Sequence, residues 1–162
     1  MLEVNMRKQI VFISHNQKFC LPIEQIEKII QWEEPTKVLQ HDAFILGVIK
    51  YNNQVLPVID LAECFFLTLS PITSDSKYII TNLAGDLLCL LVDDIQGIVD
   101  FDDNQFEHVS EESLIEKEFI ASFVKTPDAI ITELDLTAIK TLKDSQNLVA
   151  DDGLDDVEMA ES

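Results

Sequence analysis

Residues 8–32, KQIVFISHNQKFCLPIEQIEKIIQW, lie over residues 77–101, KYIITNLAGDLLCLLVDDIQGIVDF, without a gap at a constant offset of 69. Whatever the first stretch folds into, the second must fold into as well. Lys8/Lys77, Ile10/Ile79, Cys20/Cys89, Leu21/Leu90, Ile26/Ile95 and Ile29/Ile98 are identical. A second block continues the match at an offset of 75, where FILGVIKYNNQVLPVIDL (residues 44–61) lies over FIASFVKTPDAIITELDL (residues 119–136). Single apolar identities arise easily by chance, but two ungapped blocks in the same order with the same polar punctuation do not. The chain is therefore a duplicated unit of roughly 65 to 70 residues, followed by a tail.

Each copy opens with a hairpin pattern: an apolar arm, a polar turn (SHNQ or NLAGD) and a second apolar arm. Apolar residues three apart follow, at Ile23, Ile26, Ile29 and at Val92, Ile95, Ile98, and predict one helical turn leading into a strand. A second hairpin closes the copy. In the first its turn is Asn52-Asn53, and Asn is the non-glycine residue best suited to positive φ, which predicts a tight turn of the primed type. In the second the turn is TPDA, with Pro127 at the first central position. Asp60 and Asp135 are placed to cap short helices over DLAECFF and DLTAIKTL. Further helical signals lie in SEESLIEKEF (residues 110–119) and from Thr137 to Ala150. Four or five short strands per copy, with few helices, predict an all-β fold of small barrels.

The formal net charge of −19 and pI near 4.2 argue against nucleic acid and anionic membranes as partners. Seven acids and no Lys or Arg fall in residues 144–162, which leaves −12 for residues 1–143. The terminal run reads as a solvated tail, residues 143–162, partly helical and then disordered. The longest apolar run is the six residues Leu87 to Val92. That is far short of the roughly 20 needed to cross a bilayer, so the expectation is a cytoplasmic protein with no direct membrane insertion. Cys20, Cys64 and Cys89 form no C-x-x-C pair and have no His at ligand spacing, so neither a disulfide framework nor a metal site is expected. His15, His41 and His108 lie in separate segments, and Gly47, Gly85, Gly97 and Gly153 cannot assemble a phosphate-binding loop. DFDDNQFEH (residues 100–108) lacks the spacing and central Gly of a Ca²⁺ loop and reads as a solvated acidic turn. No acid, base and nucleophile can be placed together, so the expected function is protein binding without catalysis and without a cofactor. Strand edges with few lysines to guard them are the expected docking surface.

FILGVIKYNNQVLPVIDL resembles the signature of CheW-like domains, the chemotaxis coupling domain, with Gly47, Pro57, Val58, Ile59, Asp60 and Leu61 its most specific residues. The resemblance spans about residues 8–142. It implies two pseudo-symmetric five-stranded SH3-like β-barrels sharing a core, here expected at about 8–66 and 77–142. It implies an adaptor that docks on the regulatory domain of a CheA-type histidine kinase and on the cytoplasmic tip of a chemoreceptor, and a monomer in isolation. The alternative is a specialised scaffold of a pilus-driven or other chemosensory-like pathway with a different protein partner. Carried over position by position, the protein-binding surface would comprise Ile26, Lys28, Ile29, Gly47, Asn52, Asn53, Cys89 and Ile98, with Pro57, Asp60 and Asp135 as structural turn and cap residues. The chain departs from the family pattern at Asn52-Asn53, where Arg-Gly is usual, and at Lys28, where Glu is common. Cys20, Cys89, Ser122 and Val124 stand where glycines are common.

Overall fold

The computed structural model describes residues 5–38, 43–109 and 119–146. Among the described residues eleven strands and two α-helices follow in order: β1 (Met6–Ser14), β2 (Gln17–Pro22), β3 (Ile26–Gln31), β4 (Ile45–Tyr51), β5 (Gln54–Asp60), α1 (Leu61–Phe66), β6 (Lys77–Leu83), β7 (Asp86–Val92), β8 (Asp94–Asp102), β9 (Phe106–His108), β10 (Ile120–Lys125), β11 (Ile130–Leu134) and α2 (Leu136–Gln146). The helical signal in residues 110–118 and the tail from residue 147 onward lie outside the described residues.

The strands form two sheets, ordered β8-β1-β2-β11-β10-β9 and β3-β6-β7-β5-β4. Each sheet mixes both copies of the repeat. The opening hairpin of one copy pairs with strands of the other, so β1 lies against β8, and β6 lies against β3. The exchange is symmetric: β2 runs parallel to β11 as β7 runs parallel to β5. Barrel boundaries at 8–66 and 77–142 are thereby corrected, because the strand after each opening hairpin crosses to the other sheet. In the first copy Pro22 starts that crossing, and a 3-10 turn at Ile23–Gln25 carries it. The second copy has Leu91 at the equivalent place and crosses at Asp93 without a helical turn, contrary to the periodicity. Its backbone amide donates to the Ile13 carbonyl instead, at 2.8 Å.

One chain segment closes each sheet by serving both of its edges. Residues 94–108 supply β8 at one edge of the first barrel, turn at Asp103–Gln105, and return as β9 at the other. That turn is the expected acidic one, with Asp102 and Gln105 completing a capping box. In the second barrel β3 forms one edge, and Thr36, five residues beyond its end, pairs with Val48 of β4 through two backbone bonds of 2.8 Å.

Side-chain alternation explains why the opening hairpins read as unbroken apolar runs. Ile10 and Phe12 of β1 face a core between the barrels while Val11 faces the interior of the first; in β7, Leu88, Leu90 and Val92 face the shared core while Cys89 and Leu91 face the interior of the second. Strands buried on both faces have no polar phase. Among the described residues the shared core holds thirteen buried side chains, against seven and five in the barrel interiors. At about 2 kcal/mol per buried aliphatic or aromatic side chain, the shared core outweighs either interior.

Candidate docking surface

Lys28, Cys89 and Gly47 fall on one continuous rung of the second barrel, Lys28–Ile80–Cys89–Val58–Gly47, which crosses all five strands. The ends of that rung differ in character. Lys28 is exposed on the free edge of β3 and makes no ion pair among the described residues. A register shift between Ile26 and Lys28 bends the strand there. Ile26 and Ile29 are half-buried against the shared core, whereas Lys28, paired with Ile80, lies in the opposite phase of the strand. The β3 edge therefore shows solvent two adjacent opposite charges, Glu27 and Lys28, while the two isoleucines turn toward the shared core.

Cys89 and Gly47 leave that surface. Cys89 is 0% exposed inside the second barrel, and burial, with a smaller contribution from Glu33, pushes its thiol above the ordinary range. No partner can touch it; its phase on a strand buried on both faces decides this. Gly47 is also buried, at φ +151°, and an added Cβ would lie 2.3 Å from the Thr36 carbonyl oxygen. Glycine stands there to let the closing segment approach β4. Pro57 is not a turn residue but lies within β5 opposite Val48. The Val48 amide and carbonyl point outward to Thr36, so the pair is a non-hydrogen-bonded one and the missing proline amide removes nothing from the β4–β5 ladder.

Asn52 and Asn53 are exposed at the tip of the β4–β5 hairpin with φ of 48° and 64°, the primed turn expected. Ile98 lies in the other sheet, on β8 opposite Ile10, and is 57% exposed. The surface thus divides between the β3 edge, the hairpin tip and the β8 edge. Asp60 accepts from the Ala62 amide at 3.0 Å and Asp135 from the Ala138 amide at 3.2 Å, as caps should.

Two exposed residues escaped the sequence reading although the repeat marks them. Val55 and Ile130 are equivalent at the offset of 75, and they are 68% and 65% exposed. Each lies directly across its hairpin from an equivalent lysine, Val55 opposite Lys50 and Ile130 opposite Lys125. Both hairpins accordingly show solvent an aliphatic residue beside the aliphatic stem of a lysine, a small apolar patch rimmed by charge.

No group of three or more His, Cys, Asp or Glu among the described residues could hold a metal ion. No helix among them is long and apolar enough to cross a membrane.

The family model for the CheW-like domain matches residues 8–143. The chain is 26% identical over 145 residues to the chemotaxis protein CheW of Bacillus subtilis, covering 89% of this chain and 93% of that protein. It is 27% identical over 141 residues to a probable chemotaxis protein CheW of Rhizobium etli, covering 86% and 91%. The crystal structure of the scaffolding protein TtCheW from Thermoanaerobacter tengcongensis superposes with a TM-score of 0.75 at 26% identity, over 81% of this chain and 90% of that one. A match that begins in β1, ends in α2 and includes both halves of the strand exchange leaves one assignment: the chain belongs to the CheW-like domain family.

Proposed function

We propose that this chain is a non-catalytic chemotaxis adaptor in the cytoplasm, joining a chemoreceptor tip to the regulatory domain of a CheA-type histidine kinase by docking alone. The observation that carries the reading is the set of exposed strand edges and hairpins on an otherwise closed double barrel: Lys28 on β3, Ile98 on β8, and the Val55 and Ile130 hairpins. Unpaired edge amides and isolated apolar side chains suit pairing with another chain, and nothing among the described residues assembles a nucleophile with a base. The kinase domain implied by the family resemblance is itself a double barrel of this kind. Two pseudo-equivalent hairpins, each pairing an aliphatic residue with a lysine, suit a partner built on the same pattern.

Calorimetry of this chain against the regulatory domain of each chemotaxis-type kinase in its source cell tests the proposal. Saturable one-to-one binding is expected for one of them. Lys28→Glu combined with Asn52→Asp is expected to leave the melting temperature nearly unchanged while weakening binding to the receptor tip. A folded protein that binds no such kinase would refute the adaptor reading.

A further inference from the structure

The pseudo-symmetry that equates the barrels also exposes where they differ. In the second barrel Tyr78 fills one end of the interior, its hydroxyl donating to the Glu33 carbonyl at 2.5 Å. Its equivalent in the first barrel is Gln9, and the equivalents of Val58 and Gly47 are Glu133 and Ser122. All three replacements are polar, and they are 1%, 7% and 1% exposed. The Glu133 carboxylate accepts from Gln9 Nε2 at 3.1 Å and from Ser122 Oγ at 2.7 Å, both neutral donors. Gln9 Oε1 is buried with no partner.

Gln9 and Glu133 line an open cleft of about 570 Å³, together with Arg7, Lys8, Glu24 and Asp100 among others. The two cations of that lining are already paired, Arg7 Nε with Asp103 at 2.6 Å and Lys8 Nζ with Asp100 at 3.1 Å. Glu133 and Glu24 therefore line the cleft without an ion pair of their own among the described residues. A sequestered carboxylate held only by neutral donors attracts a positive group, and an orphaned acceptor beside it calls for a donor. A metal ion is not favoured, since no three ligating side chains among the described residues converge there. One compact group meets both needs: an ammonium, with a unit charge and three N–H donors at the end of a slim stem.

We propose that the mouth of the first barrel binds an alkylammonium group, its charge on Glu133 and, as the Gln9 side chain turns out of its buried position, an N–H on Gln9 Oε1. The group can come from a free small amine or from a lysine side chain of a partner protein, and the test separates the two. The ¹⁵N-labelled chain is titrated with n-butylammonium chloride, with sodium chloride at equal ionic strength, and with a one-lysine peptide beside its Nε-acetylated form. Saturable shifts are expected at the Gln9 side-chain amide and at the backbone amides of Ser122 and Glu133. Glu133→Gln, which preserves size and hydrogen-bonding reach, is expected to weaken binding about tenfold, the loss of one charge-assisted contact. Peptide binding that acetylation abolishes assigns the site to a partner's lysine, whereas binding of butylammonium alone assigns it to a free amine. Shifts that do not saturate, that sodium chloride reproduces, or that persist unchanged in Glu133→Gln overturn the proposal. If that variant loses its dispersed amide spectrum, Gln9→Met, which removes the orphaned acceptor together with the Nε2 donor to Glu133, takes its place, and shifts that persist unchanged in it overturn the proposal as well.

Discussion

Asp60 and Asp135 occupy the same setting in the two copies, yet their surroundings differ. Asp60 is 0% exposed and accepts from the Ala62 amide, the Ser70 amide at 2.8 Å and the Ser70 hydroxyl at 2.6 Å. Asp135 is half-buried with a single, longer cap bond. Asp60→Ala strands two buried donors as well as a cap and is expected to cost about 3 kcal/mol, against about 1 kcal/mol for Asp135→Ala. Urea denaturation compares the two directly, and equal losses would show that the Ser70 contacts contribute nothing. Gly47→Ala forces a Cβ onto the Thr36 carbonyl at a φ that side chains rarely adopt. A loss of more than about 2 kcal/mol is expected, while the protein that remains folded binds its partner normally. The buried thiols make a pH prediction. Burial first, then Glu133 for Cys20 and Glu33 for Cys89, holds both thiols protonated above the ordinary range. Between the ordinary thiol pKa of about 8.5 and the higher folded value, the unfolded chain binds fewer protons, so stability falls as pH rises through that window. Chemical denaturation at a series of alkaline pH values, with Cys20→Ser and Cys89→Ser as references, checks the slope.

At the scale of elements, turn chemistry was the most legible signal. Asn52-Asn53 predicted a primed turn and forms one, because Asn tolerates the positive φ that matches strand twist. His15-Asn16 reaches the same geometry, with φ of 53° and 62°. Asn53→Val places a β-branched side chain at φ 64° and is expected to lower stability by about 1–2 kcal/mol, read by thermal melting. The spacing of three at Ile95 and Ile98 comes not from a helical turn but from a bulge in β8, where the ladder skips Gln96 between Ile95 and Gly97 and so brings both isoleucines into one phase; Pro22, which starts the 3-10 turn, is present in only one copy. Val55→Asp and Ile130→Asp act on the two exposed hairpins. Each is expected to change stability by less than about 0.5 kcal/mol, since the side chains are already solvated, and to weaken partner binding measured by calorimetry. A large fall in melting temperature would instead make these positions structural.

For the whole molecule, the strand exchange has a direct consequence. A fragment of residues 1–70 keeps β1–β5 but loses β8, β9, β10 and β11 from one barrel and β6 and β7 from the other, and it exposes the shared core. Fragments 1–70 and 71–162 are each expected to lack the near-ultraviolet circular dichroism of a packed core and to regain it when mixed. A fragment that folds alone would show that one copy can close a barrel without its twin. The same exchange explains why so few polar residues interrupt β1, β2, β6 and β7. Those four strands form the wall between three cores and are covered on both faces.

The sequence by itself determined that the chain is a duplication, that its units are hairpins with particular turns, that Asp60 and Asp135 cap helices, and which family it belongs to. These are local matters: φ preferences, capping and side-chain period act within a few residues of where they are written. Only the tertiary structure decided that the copies exchange strands, that Cys89 and Gly47 are enclosed while Val55 and Ile130 are open, and that Gln9, Ser122 and Glu133 meet in one barrel mouth. Each depends on which strand lies beside which. An apolar residue on a strand covered on both faces has the same local pattern whichever core it enters, so pairing between distant segments settles its place.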